Sequence, residues 1–404
     1  MADDQEMLRS RSKANSILPV VGGLLGLAVA MGIGRFSYTP LLPAMRQQTH
    51  FSTSFAGVLA SWNYFGYLVG AILVAIFPAR VQTDMRVRYR IVVTGLIGSV
   101  VSTAVMGLTS SHTWWCLLRG FGGLFSAVVL VVSSSLVMDW LARRGTGQQA
   151  GILYSGVGIG IVCTGVLVPY LTRRGGWQLG WLGLGCLGAG LTILASVFLR
   201  TVGDGNSAYH ATNKSQPDLK APFPLWSITL VYGLEGLGYI VMATFITDFF
   251  HDETSVAWLG AVSWIFVGLA GAPSTWLWTK GARVWGGGRA TVTAFLAQAV
   301  GILLPVIHPG IWEAMVGSVL FGGTFMGITS LALSIGRTCS PERTGTVIGM
   351  MTTMFSIGQV IGPILAGIIT TETHTFRLAM MLSGLIILAA ALLLRCTQKR
   401  VTTV

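Results

Sequence analysis

Twelve apolar runs follow one another between Ile17 and Leu394. Each is long enough, at ~1.5 Å per helical residue, to cross most or all of a hydrocarbon core ~30 Å thick. In the first half they are Ile17–Thr39, Ser54–Phe77, Ile91–Thr109, Trp114–Val137, Ala150–Leu171 and Gln178–Leu199. In the second half they are Leu225–Asp248, Val256–Thr279, Ala290–Ile307, Ile311–Ile335, Thr346–Ile369 and Leu378–Leu394. Lipid offers no hydrogen bonds, so a run of this length must satisfy its own backbone and is helical. Only 10% of residues are charged and the mean hydropathy is +0.70, against about 25% charged in soluble domains. The fold class is an all-α integral membrane protein, with twelve transmembrane helices in two pseudo-symmetric six-helix bundles.

The longest polar interruption is residues 200–224, rich in Gly, Ser, Asn and Pro, with the composition and length of a linker between two bundles. The expected organisation is therefore a tail 1–16, a bundle 17–199, a linker 200–224, a bundle 225–394 and a tail 395–404. No other connection holds a soluble domain. The first run is too long and too Gly-rich for a cleaved signal and is read as a retained helix.

Lys and Arg fix the orientation. One set of ends, which includes both tails and the linker, carries twenty of them; the other carries Arg46, Arg173, Arg174 and Arg377. Both termini are thus expected in the cytoplasm, with the chain in the cell (inner) membrane. The net charge of +12 sets topology and calls for no nucleic acid. Five cysteines form no paired motif, so neither a disulfide framework nor a zinc site is expected. Five of the six histidines fall at outward ends or loops and are scattered, which suits solvated surface better than a metal site.

Few charges lie inside the spans. Glu235 stands ~15 Å in from Leu225, at the expected midplane. An ionisable residue there marks a substrate or proton pathway, or else an internal pair that locks packing. Arg35 and Arg119 fall in the outward third of the first and fourth runs. Each either attracts an anion, which its planar fork can hold bidentately, or snorkels to the outer interface. Tyr239 follows Glu235 by one turn, and Asn63 and Gln359 are amides that serve as pocket groups or as interhelical glue. The tenth run offers Thr324 and no charge. Gly362-Pro363 is a candidate hinge, since Pro interrupts the helical hydrogen-bond ladder.

The halves repeat. Ser61-Trp62-x3-Gly66 matches Ser263-Trp264-x3-Gly268 at an offset of 202, Gly122-Gly123 faces Gly322-Gly323, and Gly147-x3-Gly151 faces Gly345-x3-Gly349. Two six-helix halves, a cytoplasmic linker and inside termini resemble the major facilitator superfamily. Arg119-Gly-Phe-Gly-Gly123 is similar to its fourth-helix R-x-x-x-G element. Gly358-Gln-Val-Ile-Gly362-Pro363-Ile-Leu-Ala-Gly367 is similar to its G-x-x-x-G-P-x-x-x-G element. Its loop motif after the second helix is reduced here to Asp84-Met-Arg86-Val-Arg88, and the gating role of that motif falls on Asp84 and Arg86. Met31-Gly-Ile-Gly34-Arg35-Phe-Ser-Tyr38-Thr-Pro40-Leu-Leu-Pro43 and Tyr232-Gly-Leu-Glu235-Gly-Leu-Gly238-Tyr239 resemble the YbfB/YjiJ-type branch of transporters.

The resemblance implies a secondary transporter with a midplane site lined by the first, fourth, seventh and tenth helices, moving a small organic solute by alternating access. No P-loop or other nucleotide motif is present, so no ATP-driven pump is expected. A lone midplane carboxylate favours H⁺ as the coupling ion, with Glu235 as the proton-coupling residue. Arg119, Arg35, Tyr239, Asn63 and Thr324 are the substrate-binding candidates, and no catalytic residue, metal or cofactor is expected. Lipids and a small molecule are the expected partners; a monomer suffices, and the oligomeric state is left open. The rival readings are an intramembrane enzyme or lipid-handling protein and, less well matched, a channel, which needs a filter or a ring of like residues.

Overall fold

Apolar runs of this length fold as helices throughout. The computed structural model describes residues 17–77, 84–144, 150–203, 221–254 and 256–398. The tails 1–16 and 399–404, most of the linker (204–220) and Arg80 lie outside the described residues. Among the described residues there are eleven continuous membrane-length helical runs. One of them, 150–203, makes two passes, because Gly175 and Gly176 leave helical geometry between them. Gly176 has φ +69° and ψ −171°, a conformation essentially reserved for glycine. That turn completes the twelve.

The helices are α1 (Ile17–Thr49), α2 (Thr53–Ala75), α3 (Met85–Met106), α4 (His112–Arg143), α5 (150–174), α6 (177–203), α7 (Leu225–Glu253), α8 (Leu259–Trp285), α9 (Gly287–Ile307), α10 (Ile311–Cys339), α11 (Thr344–Thr373) and α12 (Phe376–Thr397). Polar caps set several starts: Ser52 accepts the N–H of Phe55, and Thr375 accepts that of Arg377. Large apolar side chains such as Phe65, Ile97, Phe121, Leu269 and Leu365 point outward, as lipid requires and water does not.

Several spans run further than hydropathy indicates, and two of these extensions meet. The first, expected to end at Thr39, reaches Thr49, and the seventh passes Asp248 to end at Glu253. The reason is mutual: Arg46 on α1 pairs with Asp248 on α7, so each charge neutralises the other where either alone would end an apolar run.

Glycine sets the contacts between the halves. A methyl group added at Gly57 of α2 would lie 2.1 Å from the carbonyl oxygen of Pro363 in α11, and one at Gly158 of α5 would lie 2.4 Å from the amide nitrogen of Ala272 in α8. The halves therefore meet backbone to backbone along α2/α11 and α5/α8, as small residues allow in lipid. A third contact joins α1 to α7 and borders the centre.

Candidate functional site

The centre is built on a break in α1. Residues Ala28–Ile33 widen into a π-helix, and residues 34–37 form a turn before helix resumes at Tyr38. The amide of Gly34 reaches back to Val29 O at 2.7 Å and that of Phe36 to Met31 O at 3.0 Å, one residue beyond α-helical spacing. Glycines permit the break. A methyl at Gly32 would lie 2.4 Å from Gly160 Cα in α5, and one at Gly34 would meet Ser99 Oγ at 2.3 Å. π-Segments inside α-helices occur frequently at functional sites.

Arg119 takes up the carbonyls that the break releases. Its Nη1 donates to Gly34 O at 3.5 Å, and Nη1 and Nη2 each donate to Arg35 O at 3.3 Å. Its guanidinium lies 4.8 Å from the Tyr38 ring centre, and Tyr38 Oη in turn donates to Ala56 O at 3.0 Å. Asn63 Nδ2 donates to Arg119 O at 2.9 Å. Arg35 projects into an aromatic box, with ring centres at 4.3 Å (Tyr67), 4.9 Å (Tyr64) and 5.5 Å (Phe36). Both arginines are 2% exposed. Neither snorkels: α1 continues ten residues beyond Thr39, so Arg35 lies deeper than the sequence placed it, and Arg119 faces α1 rather than the interface.

Among the described residues no carboxylate lies within ion-pair distance of either guanidinium. Arg35 Nε and Nη2 and Arg119 Nε are buried without a hydrogen-bond partner. Two permanent cations therefore share one buried region with unused donors, an arrangement that favours an anion.

The second half supplies the facing wall. Tyr239 stacks on Phe325 (6.2 Å, 8° between planes) and on Phe355 (5.6 Å, 14°), and its hydroxyl is hydrogen-bonded to Gln359 Nε2. Phe36 of the first half meets Phe325 at 6.3 Å and Trp264 at 6.2 Å, while Tyr64 Oη reaches Thr244 Oγ1 at 3.1 Å. The structure thus brings Arg35, Arg119 and Asn63 together, with Tyr239 across the boundary.

Glu235 and Thr324 stand apart. Glu235 is 1% exposed, but its Oε1 accepts from Gln298 Nε2 of α9 at 2.9 Å, inside the second bundle and away from the arginines. Its Oε2 and Gln298 Oε1 are both buried without a partner. The Thr324 hydroxyl bonds back to its own helix at Leu320 O and Phe321 O. Asp84 caps α3, accepting from the amides of Arg86 (2.8 Å) and Val87 (3.2 Å), and the Arg86 side chain is exposed. The ion pair beside it is instead Arg88–Asp139 at 2.7 Å. Gly362 packs on Leu237 of α7, and α11 runs unbroken through Pro363.

At one end the bundles close over this centre. Pro43 has no N–H to offer Thr39 O, and that carbonyl accepts from Thr247 Oγ1 of α7 instead. Thr39 Oγ1 donates to Ala243 O at 2.6 Å, and Gln47 meets His251 at 2.8 Å. Arg46 pairs with Asp248 and reaches Asp252 at 3.3 Å. Hydropathy gave no sign of this latch, because Arg46 reads as a loop charge. Tyr64 and Tyr67 escaped the sequence reading; their one-turn spacing on α2 is the signal available, and only the fold turns them toward Arg35.

Residues 27–395 match the family model described as Uncharacterised MFS-type transporter YbfB. The chain belongs to this family. It is 21% identical to a probable chloroplastic anion transporter 3 of Oryza sativa subsp. japonica, covering 92% of this chain and 78% of that protein. It is 22% identical to the probable sulfoacetate transporter SauU of Cupriavidus necator, covering 89% of each. Its fold matches a bacterial homologue of the human lysosomal transporter Spinster, solved inward-facing and unoccupied, with TM-score 0.68 and 16% identity over 95% of this chain and 97% of that one. The resemblance to the major facilitator superfamily, and to its YbfB branch, is thereby established, and so is a multi-pass, membrane-embedded transporter fold.

Proposed function

We propose that this protein is a secondary active transporter of small organic anions, working by alternating access in the inner membrane with both termini in the cytoplasm and driven by protons. The observation that carries the reading is the pair of buried guanidinium groups, Arg35 and Arg119, with unused donors and no acidic partner among the described residues. An anionic substrate supplies the missing counter-charge. Relatives named as anion and sulfoacetate transporters agree with an anion.

Access alternates by rocking of the bundles about α2/α11 and α5/α8, with Pro363 at that seam. The latch at Arg46, Asp248 and Asp252 closes the outer side. Glu235 binds the coupling proton. It is a buried carboxylate with one hydrogen bond and one unpartnered oxygen.

The test is ligand stabilisation of purified protein by small carboxylates and sulfonates alongside their neutral amides, since a binder raises stability by RT ln(1 + [L]/Kd). Anions are expected to stabilise the protein, and Arg35→Ala to abolish the effect. Equal stabilisation by the amides would sink the anion reading.

A further inference from the structure

We propose that the anion carried is a flat, unsaturated carboxylate: an aromatic acid whose carboxylate lies on Arg35 and whose ring enters between two aromatic walls. The inference rests on the anion reading above and narrows it to a substrate class.

The donor geometry comes first. The two unpartnered donors of Arg35, Nε and Nη2, form one edge of the guanidinium. Two parallel N–H groups on one edge match the two oxygens of a carboxylate side-on. The guanidinium carbon already lies over the rings of Tyr67 and Tyr64, at 4.3 and 4.9 Å. A ligand therefore approaches Arg35 along its free edge.

The walls come second. Phe325, Tyr239 and Phe355 lie nearly parallel in sequence: 8° separates Tyr239 from Phe325, and 14° separates it from Phe355. Phe36 meets this array edge-on across the boundary between the bundles, 6.3 Å from Phe325 with 79° between the planes. When the bundles part, the boundary opens as a slot with aromatic rings on both sides and the Arg35 edge at its end. A planar π-system pairs with such rings by offset stacking or edge contact, arrangements worth more than buried area alone. A puckered saturated ring has the same charge and similar volume but lacks those contacts.

The probes are benzoate, cyclohexanecarboxylate, benzamide and sulfoacetate, titrated into the purified full-length protein by calorimetry. Benzoate is expected to bind about tenfold or more tighter than cyclohexanecarboxylate, a difference of ~1.4 kcal/mol, with benzamide not binding. Tyr239→Leu should remove the preference for the unsaturated ring while leaving the preference for benzoate over benzamide. Thermal unfolding of Tyr239→Leu beside the native protein guards against a folding defect. Equal affinity for benzoate and cyclohexanecarboxylate would overturn the aromatic inference and leave the anion reading intact. Sulfoacetate binding more tightly than benzoate would do the same. Benzamide binding as well as benzoate would overturn both, and so would failure of all four probes to bind.

Discussion

In α1, six residues of π-helix and a four-residue turn release the carbonyls of Gly34 and Arg35, and Arg119 collects both. In α7, 29 residues run as one helix whose interior charge, Glu235, has turned to a neutral amide on α9. These are the first helices of the two halves, and they present two different solutions at equivalent places. The broken helix presents cations and unused donors at the boundary between bundles. The continuous helix keeps its acid within one bundle and gives the boundary aromatic rings. In the proposed transport cycle the first half holds the anion and the second the proton, and the Arg46–Asp248 ion pair joins α1 to α7.

Of the changes around the break in α1, removing Arg119 should have the largest effect. Arg119→Ala leaves two buried carbonyls unpaired, at ~1–3 kcal/mol each, as well as deleting a cation. Anion binding by Arg119→Ala is expected to fall by about 100-fold or more, given tenfold per ~1.4 kcal/mol. Arg119→Lys should be impaired as well, since a point charge does not replace a fork that spans two carbonyls. Anion titration of both variants, with thermal unfolding as a control, checks this. Normal binding by both would remove Arg119 from the site.

The break itself can be tested with one methyl group on each helix. At Gly32 of α1 that methyl would lie 2.4 Å from Gly160 Cα, a backbone atom, so Gly32→Ala forces α1 and α5 apart. Overpacking of this kind costs ~1–3 kcal/mol. At Gly233 of α7 the methyl meets only Met354 atoms at 3.5 Å or more, and Ala is the better helix former by ~1 kcal/mol. Thermal unfolding in detergent should show a clear drop for Gly32→Ala and none for Gly233→Ala. Similar drops for both would mean that the break in α1 is not specially constrained.

The twelve spans and the polar residues inside them were legible because a charge or amide in an apolar run is conspicuous. The direction each one faces was not. Glu235 lies on a helix buried on nearly every side, so periodicity could not choose between the centre and α9. Thr324 looked like a lining group, yet a hydroxyl in a helix readily bonds its own backbone. The break in α1 was hidden because Met31-Gly-Ile-Gly34 reads equally well as a close-packing motif. Arg46 and Asp248 each looked like the edge of the membrane, and only their pairing carries both helices further.

A smaller effect is expected at the latch. Asp248 is 1% exposed, but in Asp248→Asn the Arg46 side chain keeps Asp252 at 3.3 Å. The net loss is therefore about 1 kcal/mol, a several-fold shift toward the opened state. A cysteine placed at Ala243, just inside the latch, should react about three to fivefold faster with an impermeant maleimide in that background. The swap Arg46→Asp with Asp248→Arg should restore protection. Unchanged labelling would mean that the pair does not gate.

The smallest effect on binding is expected from Glu235→Gln, and it separates the two helices most sharply. The substitution keeps side-chain volume and an oxygen that still accepts from Gln298, so the second bundle should pack as before. The arginines on α1 and α4 are untouched, and exchange of anion between equal pools should proceed at close to the native rate. What the variant lacks is a group that can gain a proton on one side of the membrane and lose it on the other. In proteoliposomes with an imposed pH gradient, accumulation should therefore fall to the equilibrium level and lose its dependence on the gradient. Arg35→Ala should show the reverse hierarchy, losing exchange and accumulation together, because it removes the anion's own contact. Gln298→Leu offers a finer test, since it strips the single hydrogen bond from Glu235 while leaving the carboxyl able to titrate. Coupling should survive in that variant, with its pH profile displaced. Proton-driven accumulation at the native level by Glu235→Gln would reduce Glu235 to a packing residue and move the proton site elsewhere.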